Sequence, residues 1–237
     1  MNNLFIDIGA HIGESIETAS SRKYNFYKII AVEPSTYCQK FLIKYKDKRI
    51  QVEQLGLGSQ NTNEILYGSG SVGGSLFAEK IPYWSLNEKI KILKFSEWYV
   101  KNVSEESLVW IKINAEGAEF DIIQELKLIN TKNIVSILVS FDVDKIPSYK
   151  NQKHNLIDIL NEELKIPFVE RSKEIGVAEW LNGYKQLRSK NSLYNLCHTK
   201  LRPDIPILRN FRRVIKPFVY KKLWVGVALR FGPNRKR

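Results

Sequence analysis

The chain has 237 residues, with 37 Lys+Arg against 25 Asp+Glu and a formal charge of +12. Its length suits one domain with an appendage or two small domains, and a chain with 43% hydrophobic and 26% charged residues is neither wholly disordered, collagenous nor low in complexity. The charge is unevenly placed: residues 1–184 carry 22 basic and 24 acidic side chains, whereas residues 185–237 carry 15 basic ones and one acid, Asp204.

Taken in order, Leu4-Phe5-Ile6 is a short apolar run that meets Asp7 and a glycine turn, the pattern of a buried parallel strand. Residues 14–21 can form a helix, and residues 28–32 read as a second strand ending at Glu33-Pro34. Ser35 is placed to cap a helix over 37–45, anchored by Phe41 and Leu42. Further strands are expected at 50–55, 108–113 and 134–141. Between the last two, residues 118–128 carry Phe120, Ile122, Ile123 and Leu126 at helical spacing. Residues 56–94 fit less well, because a glycine-serine loop at 68–75 separates Ile65-Leu66-Tyr67 from irregular sequence. A helix at 155–164, a short strand at 167–169 and a closing strand at 192–197 come next.

Such alternation predicts an α/β fold: a mostly parallel central sheet with helices on both faces and ligands at the carboxyl ends of its strands. The proline pair Pro203 and Pro206 interrupts regular structure. The expected organisation is a domain over 1–200 and a basic, aromatic-rich extension over 201–237.

Two cysteines, Cys38 and Cys197, are too few for a disulfide framework and lack metal-type spacing. Asp7 arrives before any signal-like apolar run, and no stretch approaches the ~20 apolar residues of a membrane span. A reducing, cytoplasmic location is expected.

The first strand-turn-helix reads Asp7-Ile8-Gly9-Ala10-His11-Ile12-Gly13. Gly9 permits a tight turn close to a ligand, and the following helix offers free N–H groups to a carboxylate. The spacing is not the G-x-G-x-x-G of a dinucleotide site, and Asp7 favours a ligand that carries an amine. Glu33 ends the second strand where an acid accepts hydrogen bonds from ribose hydroxyls. Amine, carboxylate and ribose together describe S-adenosylmethionine better than a nicotinamide dinucleotide. Either element alone can also be plain structure, the one a turn and the other a solvated strand end.

A third element, Ile111-Lys112-Ile113-Asn114-Ala115-Glu116-Gly117-Ala118-Glu119, runs from a strand through a polar turn into a helix. Here the sequence resembles the FkbM-type methyltransferases, whose fourth strand typically reads I-K-I-D-x-E-G-x-E and whose first motif reads D-x-G-A-x-x-G. The resemblance extends to Ala31-Val32-Glu33-Pro34-Ser35 and, more loosely, to Gly56-Leu57-Gly58, and covers about residues 4–145. It implies a class I methyltransferase Rossmann-like fold, S-adenosylmethionine as cofactor, and O-methylation of a hydroxyl on a sugar, glycan or glycolipid-type acceptor. Carried over by position, Asp7, Gly9, Ala10 and Gly13 line the methionine end, Glu33 and Pro34 the ribose, and Gly56 and Leu57 the adenine. Lys112, Glu116 and Gly117 fall at the transfer end, and Asn114 counts among the cofactor-binding residues. Asn114 departs from the family's usual Asp, so a non-catalytic member that binds cofactor or glycan is the alternative.

A sugar hydroxyl is a weak nucleophile, and its attack on a sulfonium methyl needs alignment and a proton acceptor. Glu116 is the first candidate base, against a purely substrate-binding or helix-capping role. Asp142, with Asp144, is next, unless the two simply flank a surface turn. Lys112 is a candidate to orient the acceptor, or else pairs with a neighbouring carboxylate. His11 and His154 read as structural or exposed. These acids match no metal-ligand spacing, so no metal is assigned.

The tail interleaves aromatic, aliphatic and cationic residues. It has three readings: docking on the domain with its cations in water, peripheral contact with an anionic membrane through 208–231, or nucleic-acid binding. RNA methylation is the weaker functional alternative, because the N-P-P-Y or D-P-P-Y signature of amino-directed nucleic-acid enzymes is absent.

Overall fold

A computed structural model of the chain describes residues 2–188 apart from 72, 81–85, 150 and 173. The chain divides into two units, Met1–Gln186 and Leu187–Arg237, and the β-strands among the described residues lie in the first. The strand expected at 192–197, the extension over 201–237 and the 208–231 segment lie outside the described residues.

The central sheet is built from β1 (Asn2–Ile8), β2 (Phe26–Val32), β3 (Ile50–Glu53), β7 (Ser107–Ile113), β8 (Ile134–Val139) and β9 (Phe168–Glu170), in the order β3-β2-β1-β7-β8-β9. Every neighbouring pair is parallel. This is the expected α/β sheet, and its strands read as near-continuous apolar runs because both faces are covered. On one face Leu4, Ile6, Ile8, Ile111 and Ile113 pack with α3 (Phe95–Asn102), α4 (Glu119–Glu125) and α5 (Gln152–Asp158). On the other, Phe5, Ile29, Ala31, Trp110 and Leu138 pack with α1 (Glu14–Ala19), α2 (Thr36–Leu42) and α6 (Val177–Arg188). Ser35 caps α2 as expected, its Oγ accepting the Cys38 N–H at 3.4 Å.

After β3 the chain crosses back, and β7 joins the free side of β1. Strand order reverses there, so the carboxyl ends of β1 and β7 diverge into a crevice.

Within residues 56–94, which fitted the alternation less well, the described residues include regular β-structure. β4 (Gly56–Gly58), β5 (Thr62–Tyr67) and β6 (Asn87–Lys94) form a second, three-stranded sheet in the order β4-β6-β5. In β6, Ile90 and Ile92 are buried while Lys89 and Lys91 are exposed, a two-residue period that marks a half-buried strand. This small sheet, with Leu66, Ile90 and Ile92 inward, supplies one wall of the crevice.

Candidate active site

The crevice is a solvent-open cleft of about 710 Å³, bordered by the ends of β1, β2 and β7, by the small sheet, and by residues of the glycine-serine loop. Of the residues expected to hold a ligand, Gly9, Glu33, Pro34, Gly56, Leu57, Asn114 and Glu116 line it. Asp7, Ala10, Gly13, Lys112 and Asp142 do not, for separate reasons.

Asp7 and Lys112 are partners in the parallel register of β1 and β7. Their odd and even positions share parity with Phe5 and Trp110, so both point to the face that packs on α1, α2 and α6. Asp7 is wholly buried, with the Lys112 ammonium 2.8 Å from Oδ1, and that ammonium also donates to the Gly9 carbonyl at 2.6 Å. Burial pushes the Asp7 carboxyl upward against the pull of Lys112. The pair therefore lies beneath the glycine turn rather than among the residues that line the cleft. Polar residues that line the cleft at that end include His11, Asn114 and Glu116. Ala10 packs in the core beside Phe5 and Ile16, and Gly13 is covered by Tyr45, whose hydroxyl donates to its carbonyl at 2.9 Å.

Gly9 has φ of +74°, and a Cβ there would fall 2.0 Å from the Asn114 carbonyl oxygen. The strand-end turns of β1 and β7 are thus in contact through a position that only glycine fits.

Glu33 is 7% exposed on the cleft wall. It accepts the His11 N–H through Oε2 and the Ser35 N–H through Oε1, each at 2.9 Å. Burial raises its pKa and these two N–H groups oppose the rise. The first turn thus contributes through the backbone of His11, a residue whose sequence context suggested only a structural role. The His11 ring pairs with Glu14 at 3.1 Å.

At the other end, Glu116 sits with φ of +51° and Gly117 with φ of +116°. The Glu116 carboxylate is in contact with the Lys80 ammonium through Oε2, both side chains nearly buried. Its carbonyl accepts the Ser75 hydroxyl at 2.6 Å. Lys80, Ser75 and Glu119 had no place among the expected site residues. Glu119 stands in the motif quoted for β7, whereas Lys80 comes from a remote segment with no motif of its own.

Asp142 is buried just beyond β8 and paired with Lys145, and its backbone N–H donates to Glu119 Oε1. The second oxygen of Glu119, Oε2, accepts the Gly117 N–H at 2.6 Å. Asp142 thus faces Lys145 and Glu119 rather than the cleft. Cys38 borders the cleft, but burial pushes its thiol up to about 11, which keeps it protonated.

The glycine-serine loop lies along the cleft through Gly70, Ser71, Gly74 and Ser75. It is tied at one end by Ser69, whose hydroxyl donates to Glu88 at 2.6 Å and meets the Ser35 hydroxyl at 2.8 Å. At the other end Ser75 exchanges backbone hydrogen bonds with Tyr67 at 2.8 and 2.9 Å.

A doubly wound parallel sheet with its cleft at the switch point places the protein among the α/β proteins that take ligands at strand ends. Residues 7–166 match the family model described as the methyltransferase FkbM domain, and the chain belongs to that family. It is also similar to the solved structure of methyltransferase FkbM from Methylobacillus flagellatus KT, at 18% identity and a TM-score of 0.40, covering 70% of this chain and 38% of that one. The chain therefore spans well under half the length of that protein. No curated protein matches it.

Proposed function

We propose that the chain is an S-adenosylmethionine-dependent O-methyltransferase acting on a hydroxyl of a sugar, glycan or glycolipid-type acceptor. The observation that carries this reading is the placement of Gly9, Glu33 and Glu116 around one cleft at the switch point.

The cleft's residues fit the cofactor. An ionised carboxylate has about four lone-pair sites, so Glu33, with one N–H on each oxygen, retains capacity for ribose hydroxyls. Leu55, Leu57, Ile90 and Ile92 supply an apolar wall for a purine. Gly9 and Asn114 border the end left for the amino-acid portion. When bound, the cofactor supplies an electrophilic methyl group.

The chain's own residues then align a hydroxyl and take its proton. Lys80 contacts Oε2 of Glu116, which leaves Oε1 for the acceptor's hydroxyl. Phe77, Tyr149 and Phe120 form a half-buried aromatic group beside that turn, with Phe120 and Tyr149 stacked at 4.8 Å and Phe77 edge-on to Tyr149 at 5.2 Å. Such surface suits the apolar face of a sugar ring.

The test is calorimetric titration with S-adenosylmethionine, together with a tritiated-methyl transfer screen over sugars, lipid-linked glycans and RNA. Binding with transfer to a sugar hydroxyl is expected. Binding without any transfer favours the non-catalytic alternative, for which Asn114 and the Lys80–Glu116 pair speak. No binding defeats both.

A further inference from the structure

We propose that Glu119 is a positioning residue for the transfer end of the cleft, its buried carboxylate tying the turn after β7 to the turn after β8 and holding the backbone that presents Glu116. The role in turnover rests on the function proposed above.

The geometry carries the inference. Glu119 is 0% exposed. One of its oxygens accepts the Gly117 N–H at 2.6 Å and the other accepts the Asp142 N–H, so a single side chain joins two loops that belong to different strands. Between β7 and Glu119 the chain takes two successive left-handed residues, Glu116 and Gly117. For Glu116 that conformation carries strain of order 1–2 kcal/mol, which persists only where the surroundings over-determine it. The surroundings do so here: Ser75 holds the Glu116 carbonyl, Lys80 holds its carboxylate, and Glu119 holds the next N–H.

The side chain must be an ionised glutamate. Glutamine offers one acceptor oxygen and would turn its NH₂ toward the second N–H, donor against donor. Aspartate is one methylene too short to span the same gap from the same Cα.

Burial works against the charge and pushes this carboxyl up to about 7, with its own N–H and those of Gly117 and Asp142 opposing the rise. Asp142 raises it further, while Lys145 faces it with the opposite sign. The tie is thus complete on the alkaline side of neutrality and loosened on the acid side.

The experiment uses the full chain labelled with nitrogen-15. The Gly117 and Asp142 amide resonances are followed from about pH 5.5 to 8.5. Both are expected to shift with one common midpoint near neutrality, and neither to do so in Glu119→Gln. That variant is also expected to lose about tenfold or more in turnover and the acidic limb of the rate profile. Its affinity for S-adenosylhomocysteine should stay within about threefold, since Gly9 and Glu33 lie on other turns. Amides that titrate separately or not at all overturn the proposal, as does a Glu119→Gln enzyme with wild-type turnover and pH profile. If the wild-type chain neither binds S-adenosylhomocysteine nor transfers a methyl group, the functional reading fails while the amide titration still decides the role of Glu119.

Discussion

Lys112 on β7 and Asp7 on β1 are register partners whose charged groups meet 2.8 Å apart beneath the turn that borders the cleft. Both are nearly or wholly inaccessible to water. Removing one partner of such a pair leaves an uncompensated buried charge, which is destabilising by about 3–5 kcal/mol. Lys112→Met is therefore expected to lower stability in urea unfolding by about that amount at neutral pH. Adding Asp7→Asn should recover most of the loss, because the double variant buries no charge. A Lys112→Met protein as stable as wild type would mean that Asp7 is not held ionised by this lysine.

Gly9→Ala tests the contact between the two strand-end turns. The new Cβ meets a backbone oxygen rather than a yielding side chain, so one turn has to move, and the left-handed φ adds about 1–2 kcal/mol. Affinity for S-adenosylmethionine should fall by about tenfold or more, with a lowered melting temperature. Unchanged affinity, read by calorimetry, would detach this turn from the ligand site.

The parts of this architecture that were legible in the sequence are those buried on both sides. β1, β2, β7 and β8 announce themselves as apolar runs, and the turns that follow β1 and β7 carry glycines, the second of them with the acid Glu116 as well. The small sheet was harder to see, because β6 is half-exposed and its signal is only the alternation of Ile90 and Ile92 with lysines. The ligand-facing side chains were partly legible: Glu33 and Glu116 border the cleft. Asp7 was legible as a candidate, but not its placement, which follows strand parity and sets it against Lys112 beneath the turn. Lys80 had no signal at all, since its contact with Glu116 spans 36 residues and depends on how an irregular segment folds back.

Glu116→Gln removes the proposed proton acceptor while keeping its shape and its contact with Lys80. General-base contributions run at about 10²–10⁴-fold, so turnover should fall by at least the lower figure, with cofactor affinity essentially unchanged. Turnover preserved in this variant would assign the proton to another group or to solvent.

Glu88 ties the glycine-serine loop to the start of α2, accepting from Ser69 and from the Thr36 N–H. Glu88→Ala releases both ends of that tie, and exposed loops with few remaining bonds open to proteases. Chymotrypsin should cut faster after Tyr67 or Phe77 in the variant, and S-adenosylhomocysteine with an acceptor should slow the cutting. Equal rates in wild type and variant would show that Glu88 does not hold the loop.

Glu119 also sets a pH dependence of stability that is separable from its effect on rate. Its carboxyl is raised from the ordinary 4.5 to about 7, chiefly by burial. Between those values the folded chain holds a proton that the unfolded chain has released, so raising the pH favours unfolding over that window. The loss is complete above the folded value and amounts to about 3 kcal/mol at one unit per 1.36 kcal/mol. Asp7 and Glu33 are raised in the same direction and add to the trend. Glu119→Gln has no proton to lose there, so its urea midpoint should fall less than that of wild type between about pH 5 and 8. The variant is then expected to show the flatter pH dependence of stability together with the lower turnover. Parallel pH dependences for the two proteins would place the titrating group elsewhere.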